Sequence, residues 1–349
     1  MKRKDFGALI IVPVLSIIIS FLIGCIIIAA LGASPAEALR YLWKGAFGNI
    51  RNLGTTFSRS TPLIFTTLCA CFAYRCGVFN LGGEGQFLIG SILACYIATK
   101  SPLTGVPAML LCTLAGAAGG GLWAAAAGLL KIWRGQNEMI ITIMLNYVAT
   151  LLMGVVYTNW LRDGSVPQTI AVPDETKLPS FLGLRATIAF PVAILVGIAV
   201  FYFLFSTSGG FQLRAVGLNM TAAKVNGFNV KRYIMMSFIV SGAIAGLGGA
   251  LELLGTQLRL INGFGAGYGF DGVAMALIAS LHPIAGIVVA IFFAALRVGS
   301  TTMQTATGVP TSVSDIIQAL VIVFTVAGMA MVKLPEFKNR FLRKAGMEG

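Results

Sequence analysis

The sequence predicts an all-α polytopic membrane protein of about ten transmembrane helices, and three observations predict it. Apolar residues make up 57% of the 349 residues, whereas charged residues make up only 11%, far below the quarter typical of soluble domains. A transmembrane helix takes ~20 apolar residues, so this apolar content supplies roughly ten. The 42 glycines suit close helix packing and interrupted helices in lipid. A soluble single-core enzyme, a disordered chain and a collagen-like chain are excluded.

The elements follow in order. Basic Met1–Asp5 leads into an apolar run, Phe6–Leu31, too long for a secretory signal and read as a retained first helix. Gly32–Arg59 is amphipathic, with Leu39, Leu42, Trp43 and Phe47 opposed to Arg40 and Lys44, and suits the membrane interface. Further apolar runs are Pro62–Tyr74, Phe87–Thr99, Val106–Leu130 and Met139–Trp160. A polar, proline-bearing loop, Leu161–Leu184, precedes the run Arg185–Phe205. Ser206–Arg232 is a basic loop without an acid, followed by Tyr233–Leu254 and a glycine-rich stretch, Gly255–Gly272. Val273–Leu281, Pro283–Val298 and Val313–Val332 complete ten crossings, before a basic tail.

Ten is even, so both termini fall on one side, and the positive-inside rule makes that side the cytoplasm. The N-terminus, Lys131/Arg134, Arg214–Arg232 and the tail are then inside, although Arg40, Lys44, Arg51 and Arg59 are outside. The domain reading is a first helix with an external amphipathic segment (1–59), a transmembrane domain (60–332) and a basic cytoplasmic tail (333–349). Two glycine-rich turns, one containing Glu84 and one ending in Asp271, each lead into small apolar residues. If they follow crossings of opposite sense they mark an inverted repeat, which in transporters places interrupted helices around a midplane site.

The polar residues amid apolar runs are the functional candidates, because burying them in lipid is costly. Phe79, Asn80, Glu84 and Gln86 sit in a turn with four glycines and offer an aromatic face, two amides and a carboxylate to a polar path. Alternatively Glu84 caps the following helix or pairs with Arg75, making the bend rigid. Asn137 or Glu138 starts a helix on which Thr142 and Asn146 share a face. These two either bond to neighbouring helices or face the pathway.

Other chemistries fare badly. The net charge of +13 is strung between apolar runs rather than gathered on one face, which disfavours nucleic acid as a partner and favours a membrane topology signal. The six cysteines lack zinc-ligand spacing and read as small apolar side chains. Gly267–Gly272 matches G-x-G-x-x-G, yet no βαβ unit fits between membrane helices. No lysine follows a glycine, so a Walker A motif is impossible and any ATP is hydrolysed by another chain. The single histidine, His282, precedes Pro283 and belongs to a turn rather than a catalytic set. No metal site or catalytic residue is expected.

The most informative cytoplasmic piece is Gly209–Arg232. Its helix-like middle, Met220–Val225, is ended by Asn226-Gly227, a helix stop. A small basic helix between crossings suits docking into a groove of a cytoplasmic partner.

With Gly77–Gln86, Asn137–Tyr147 and Leu213–Arg232 running on to Ser241–Gly246, the chain resembles the permease subunits of bacterial ABC importers. The family is that of branched-chain-type and ribose-type permeases for sugar and nucleoside uptake. The resemblance covers most of Thr61–Val332. Its first two stretches are most similar to the longer permease of nucleoside-type systems, since ribose-type permeases carry an Asp-Leu-Ser turn at the first position.

The resemblance implies a channel half in the bacterial cell membrane, paired with a second, different permease. It also implies a cytoplasmic ABC ATPase that hydrolyses ATP with Mg, and an extracellular substrate-binding lipoprotein; this chain itself would hold no cofactor. The substrate path would involve Phe79, Asn80, Glu84, Gln86, Asn146 and Asp271. The ATPase-coupling loop would involve Arg214, Gly217, Asn219, Ala222, Ala223, Gly227 and Lys231. A simple-sugar permease is the alternative within this family. An ion-coupled carrier using Glu84, Glu252 or Asp271 is the alternative outside it.

Overall fold

The computed structural model describes residues 3–181 and 183–333. The expected basic-tail residues Lys338, Arg340, Arg343 and Lys344, with Met1 and Lys2, lie outside the described residues. Thirteen α-helices are described: α1 (Arg3–Ala30), α2 (Pro35–Phe47), α3 (Ile50–Arg75), α4 (Gly83–Lys100), α5 (Gly105–Arg134), α6 (Glu138–Val155), α7 (Ala189–Ser206), α8 (Ser208–Leu218), α9 (Met220–Val225), α10 (Val230–Glu252), α11 (Tyr268–Ile278), α12 (Pro283–Thr307) and α13 (Ser312–Lys333). The protein is an all-α, multi-pass membrane protein. Seven described helices are long and apolar enough to cross a membrane: α1, α5, α6 and α10 (each of the last two extended by a π-helical turn), α7, α12 and α13.

Three expected crossings differ. The run Pro62–Tyr74 is the second half of α3, which begins at Ile50. Pro62 does not end that helix, which continues through it to Arg75, with Pro62 buried among its neighbours. The amphipathic helix is therefore shorter than its composition suggests. It is confined to α2, where the Ser34 side chain accepts from Glu37 N and Pro35 fits the first turn. Helix α4 has 18 residues but is too polar to register by composition. Helix α11 has 11 residues and is roughly 16 Å long, half of an apolar bilayer core. The loop between α6 and α7 also holds a small antiparallel hairpin, β1 (Arg162–Asp163) with β2 (Val166–Thr169).

The described chain divides into two units. One joins the chain up to Asn52 with residues from Ala295 onward. In it α1 packs on α13 through Gly24 against Ile317, and α2 packs on the later part of α12 through Leu42 and Gly299. The other is Leu53–Ala294. Its centre is a three-helix seam of α4, α5 and α10, where Gly90, Gly116, Gly120, Gly242 and Gly246 bring backbones into contact; a methyl at Gly90 or Gly120 would collide with a carbonyl of α10. Such small-residue seams are how helices associate where lipid removes the hydrophobic drive. Five of the six cysteines are buried, and all are free thiols.

Candidate functional site

The turn between α3 and α4 is built from amides. Asn80 and Gln86 bond each other reciprocally: Asn80 Nδ2 donates to Gln86 Oε1 at 3.1 Å and Gln86 Nε2 donates to Asn80 Oδ1 at 2.9 Å. Asn80 also donates to Ser241 Oγ on α10 at 2.9 Å and accepts from Gly82 N at 3.0 Å. On α6, Asn146 Oδ1 accepts from Gly85 N at 2.8 Å and its Nδ2 donates to Leu81 O at 2.9 Å. Thr142 accepts from Leu81 N. Asn80 and Gln86 are each 1% exposed. Each amide therefore has partners inside the protein, which is what lets a non-helical segment sit among membrane helices. Thr142 and Asn146 do share a face, and both bond the turn. Asn137 caps α6 by accepting from Met139 N at 2.9 Å, and Glu138 pairs with Lys131. Phe79 is the outward member of the turn, 44% exposed and 5.0 Å from the Tyr74 ring.

The turn folds back along α3. Cys69 approaches both Asn80 and Gln86, and it lies six residues before Arg75, or roughly 9 Å along the helix. Helix α4 therefore starts well inside the span of α3. Helix α11 starts there too, with Gly272 against Thr66 and Gly269 against the Glu84 backbone, so tightly that a methyl on Gly269 would collide with Glu84 N. Two helix N-termini thus meet head on. Glu84 stands between them, half-buried, and its Oε2 accepts from Gly267 N at 3.2 Å, capping the start of α11. A carboxylate there answers the positive ends of both helix dipoles. Asp271 occupies the first turn of α11. Glu84 does not pair with Arg75. Arg75 bonds instead to Ser280 O and Leu281 O, because the fold-back of the turn carries Glu84 away from the end of α3.

Asp271 and Glu84 are thereby brought together, while Asn80, Gln86 and Asn146 form the scaffold behind them. A buried acid stands apart: Glu252, 2% exposed, accepts from Gln257 Nε2 at 3.3 Å, and its Oε2 has no hydrogen-bond partner. It ends α10 where a π-helical turn, Leu253–Gln257, begins. Among the described residues no three His, Cys, Asp or Glu side chains gather as a metal site. His282 lies in the turn before α12, where Nδ1 accepts from Ala285 N at 3.4 Å. Burial, then the charge of Arg75, holds its imidazole below the ordinary range.

The basic loop folds as two short helices. Asn219 separates α8 from α9 and caps α9 by accepting from Ala222 N at 2.9 Å. Asn226 Nδ2 donates back to Ala222 O at 2.8 Å, and Gly227 takes a left-handed φ of 81°, so α9 ends where its sequence directs. Ala223 is buried beneath α9, whereas Ala222, Lys224 and Lys231 face outward. Leu218 and Val225 are 88% and 84% exposed. Gly217 seats on the end of α3, and Arg214 lies over the Phe205 ring at 5.0 Å.

A protein-family model described as "branched-chain amino acid transport system / permease component" matches residues 52–326. The chain belongs to this permease family. The guanosine ABC transporter permease protein NupP of Bacillus subtilis is 34% identical to this permease, over 92% of this chain and 94% of that protein. The nucleoside ABC transporter permease protein NupB of Lactococcus lactis is 31% identical over 94% of each. A glucose ABC transporter permease protein of Haloferax volcanii is 29% identical over 90% of this chain and 86% of that protein. No solved structure matches the permease.

Proposed function

We propose that this permease is one of two different permease subunits of an importer in the bacterial cytoplasmic membrane. It moves a nucleoside inward by alternating access. The observation that carries the site is the head-on meeting of α4 and α11 with Glu84 between them. Interrupted helices that point their N-termini at one place are the usual construction of a midplane transport site. Helix α4 runs away from that place one way and α11 the other, as an inverted repeat requires. Counting α3, α4 and the glycine-rich approach to α11 plus α11 itself as crossings gives ten, with both termini cytoplasmic.

Phe79, Glu84 and Asp271 line the path on this reading, and Asn80, Gln86 and Asn146 hold its shape. Nucleosides suit a path with an aromatic face and hydrogen-bonding groups, and the guanosine and nucleoside names of two relatives support that class. A sugar is the second reading, favoured by the glucose relative. An ABC ATPase binds the α8–α9 face and hydrolyses ATP with Mg, so this chain needs no cofactor of its own. A substrate-binding lipoprotein delivers solute from outside.

Alanine substitutions across Asn219–Asn229 test the assignment. They are expected to abolish uptake while the binding protein keeps its affinity for solute. Normal uptake in those variants would refute the coupling role. A thermal-shift screen of the binding protein against nucleosides, ribose and galactose decides the solute: stabilisation by nucleosides is expected, and stabilisation by a sugar alone would replace it.

A further inference from the structure

Arg75 is a cation at the end of α3 whose described hydrogen bonds go to carbonyls. Its Nε donates to Leu281 O at 3.0 Å and its Nη2 to Ser280 O at 3.2 Å, just past the C-terminus of α11. Those two residues take left-handed φ values of 59° and 52°, uncommon for non-glycine residues and kept only where the surroundings impose them. Helix α11 is therefore gripped at both ends, by Glu84 at its start and Arg75 at its finish. Between the grips it packs along α3: Gly272 lies on Thr66, the buried Met275 sulfur accepts from the Thr67 hydroxyl at 3.6 Å, and Ala276 lies on Ala70 and Cys71.

The same arginine reaches α8. Arg75 lies 5.3 Å and Arg214 5.0 Å from the centre of the Phe205 ring, so two guanidiniums share one aromatic side chain. Arg214 Nε is buried with no hydrogen-bond partner. The backbone makes the junction closer still. A methyl at Gly217 would collide with the Arg75 carbonyl, and Gly77, at a φ of 73°, faces Gly217 Cα. No side chain cushions this contact, so a displacement of α8 is passed directly to the Arg75–Gly77 backbone. One residue, Asn219, separates α8 from α9.

We propose that Arg75 is a positioning residue that transmits movement of the α8–α9 loop to α11, and through α11 to the Glu84 end of the transport site. The route is contiguous: α9, the Gly217 seat, Arg75, the Ser280 and Leu281 carbonyls, then the length of α11 to Gly267 and Glu84. A chain of packed groups of this kind carries coupling only if its members move together, and each junction here is a hydrogen bond or a backbone contact. This inference rests on the ATP-driven reading above.

The test uses the whole complex in proteoliposomes, both permeases with ATPase and binding protein, and reads solute taken up per ATP hydrolysed. Arg75→Gln is expected to lower that ratio by about tenfold while hydrolysis stays within about twofold of wild type. Arg75→Lys, which keeps the charge but cannot fork to two carbonyls, recovers part of the ratio. Arg214→Gln, on a half-buried helix, lowers it by about twofold to threefold. An unchanged ratio in Arg75→Gln overturns the proposal. So does a parallel loss of hydrolysis and uptake in an assembled complex, which marks a docking role. If Arg75→Gln does not assemble, Arg214→Gln decides: a lowered ratio supports the proposal and an unchanged one overturns it. A wild-type complex that takes up solute without hydrolysing ATP overturns the transport reading itself.

Discussion

The two interrupted helices, α4 and α11, reach the same place by different means. The turn leading into α4 is tied down by side chains: Asn80, Gln86 and Asn146 satisfy its backbone and one another. The approach to α11 is a run of glycines, with left-handed φ at Gly263, Gly265 and Gly267; the Glu84 carboxylate accepts from Gly267 N, and Phe264 and Tyr268 set their rings against Phe87. Buried, mutually satisfied amide networks rigidify what they bond. A segment with few such bonds opens at lower cost. The two turns thus differ in kind: amide hydrogen bonds hold the one, and a carboxylate cap with ring packing holds the other.

Four variants, carrying five substitutions, test this difference. Asn146→Leu has the largest effect on stability, because it leaves Gly85 N–H and Leu81 C=O buried and unpaired; we expect a loss of about 3 kcal/mol, read as a lowered thermal-unfolding midpoint in detergent. An unchanged midpoint would mean that the α4 turn is not held by its amides. Gly267→Ala forces a side chain into a φ of 82° and should cost about 2 kcal/mol, measured in the same assay. A cost equal to that of Asn146→Leu would make the two turns alike and remove the distinction. Glu84→Gln keeps the shape but takes the charge from two helix ends. It should cost only about 1 kcal/mol of stability yet reduce uptake by about tenfold. Full uptake would reduce Glu84 to a cap. The paired change Leu218→Ser and Val225→Ser, on exposed apolar side chains, should alter stability by less than about 0.5 kcal/mol but abolish co-purification with the ATPase. Retained co-purification would move the docking surface elsewhere.

What the sequence revealed depended on how local the cause was. Apolar length alone identifies seven crossings, since each is a continuous helix. It places the start of α11 five residues late, because the residues before Val273 form a glycine-rich stretch without apolar periodicity. It starts that crossing at Pro62 because the helical residues from Ile50 to Thr61 are too polar to form part of an apolar run. The α9 helix is legible as Met220–Val225, since its Asn226-Gly227 stop lies in the same short segment; the structure adds its Asn219 cap. The polar residues of the α4 turn are visible as candidates. Their mutual satisfaction is not, because Ser241 and Asn146 come from distant segments. The partners of Arg75 are backbone carbonyls some two hundred residues away, and a carbonyl carries no sequence signal at all.

On the proposed function, this permease moves solute only when a separate ATPase drives it. Uptake of a labelled nucleoside into proteoliposomes tests it, comparing the complete complex with ATP, the same complex with a non-hydrolysable ATP analogue, and the permease pair alone under an imposed proton or sodium gradient. Accumulation is expected in the first case and none in the other two. Accumulation by the permease pair alone, driven by the ion gradient, would contradict it.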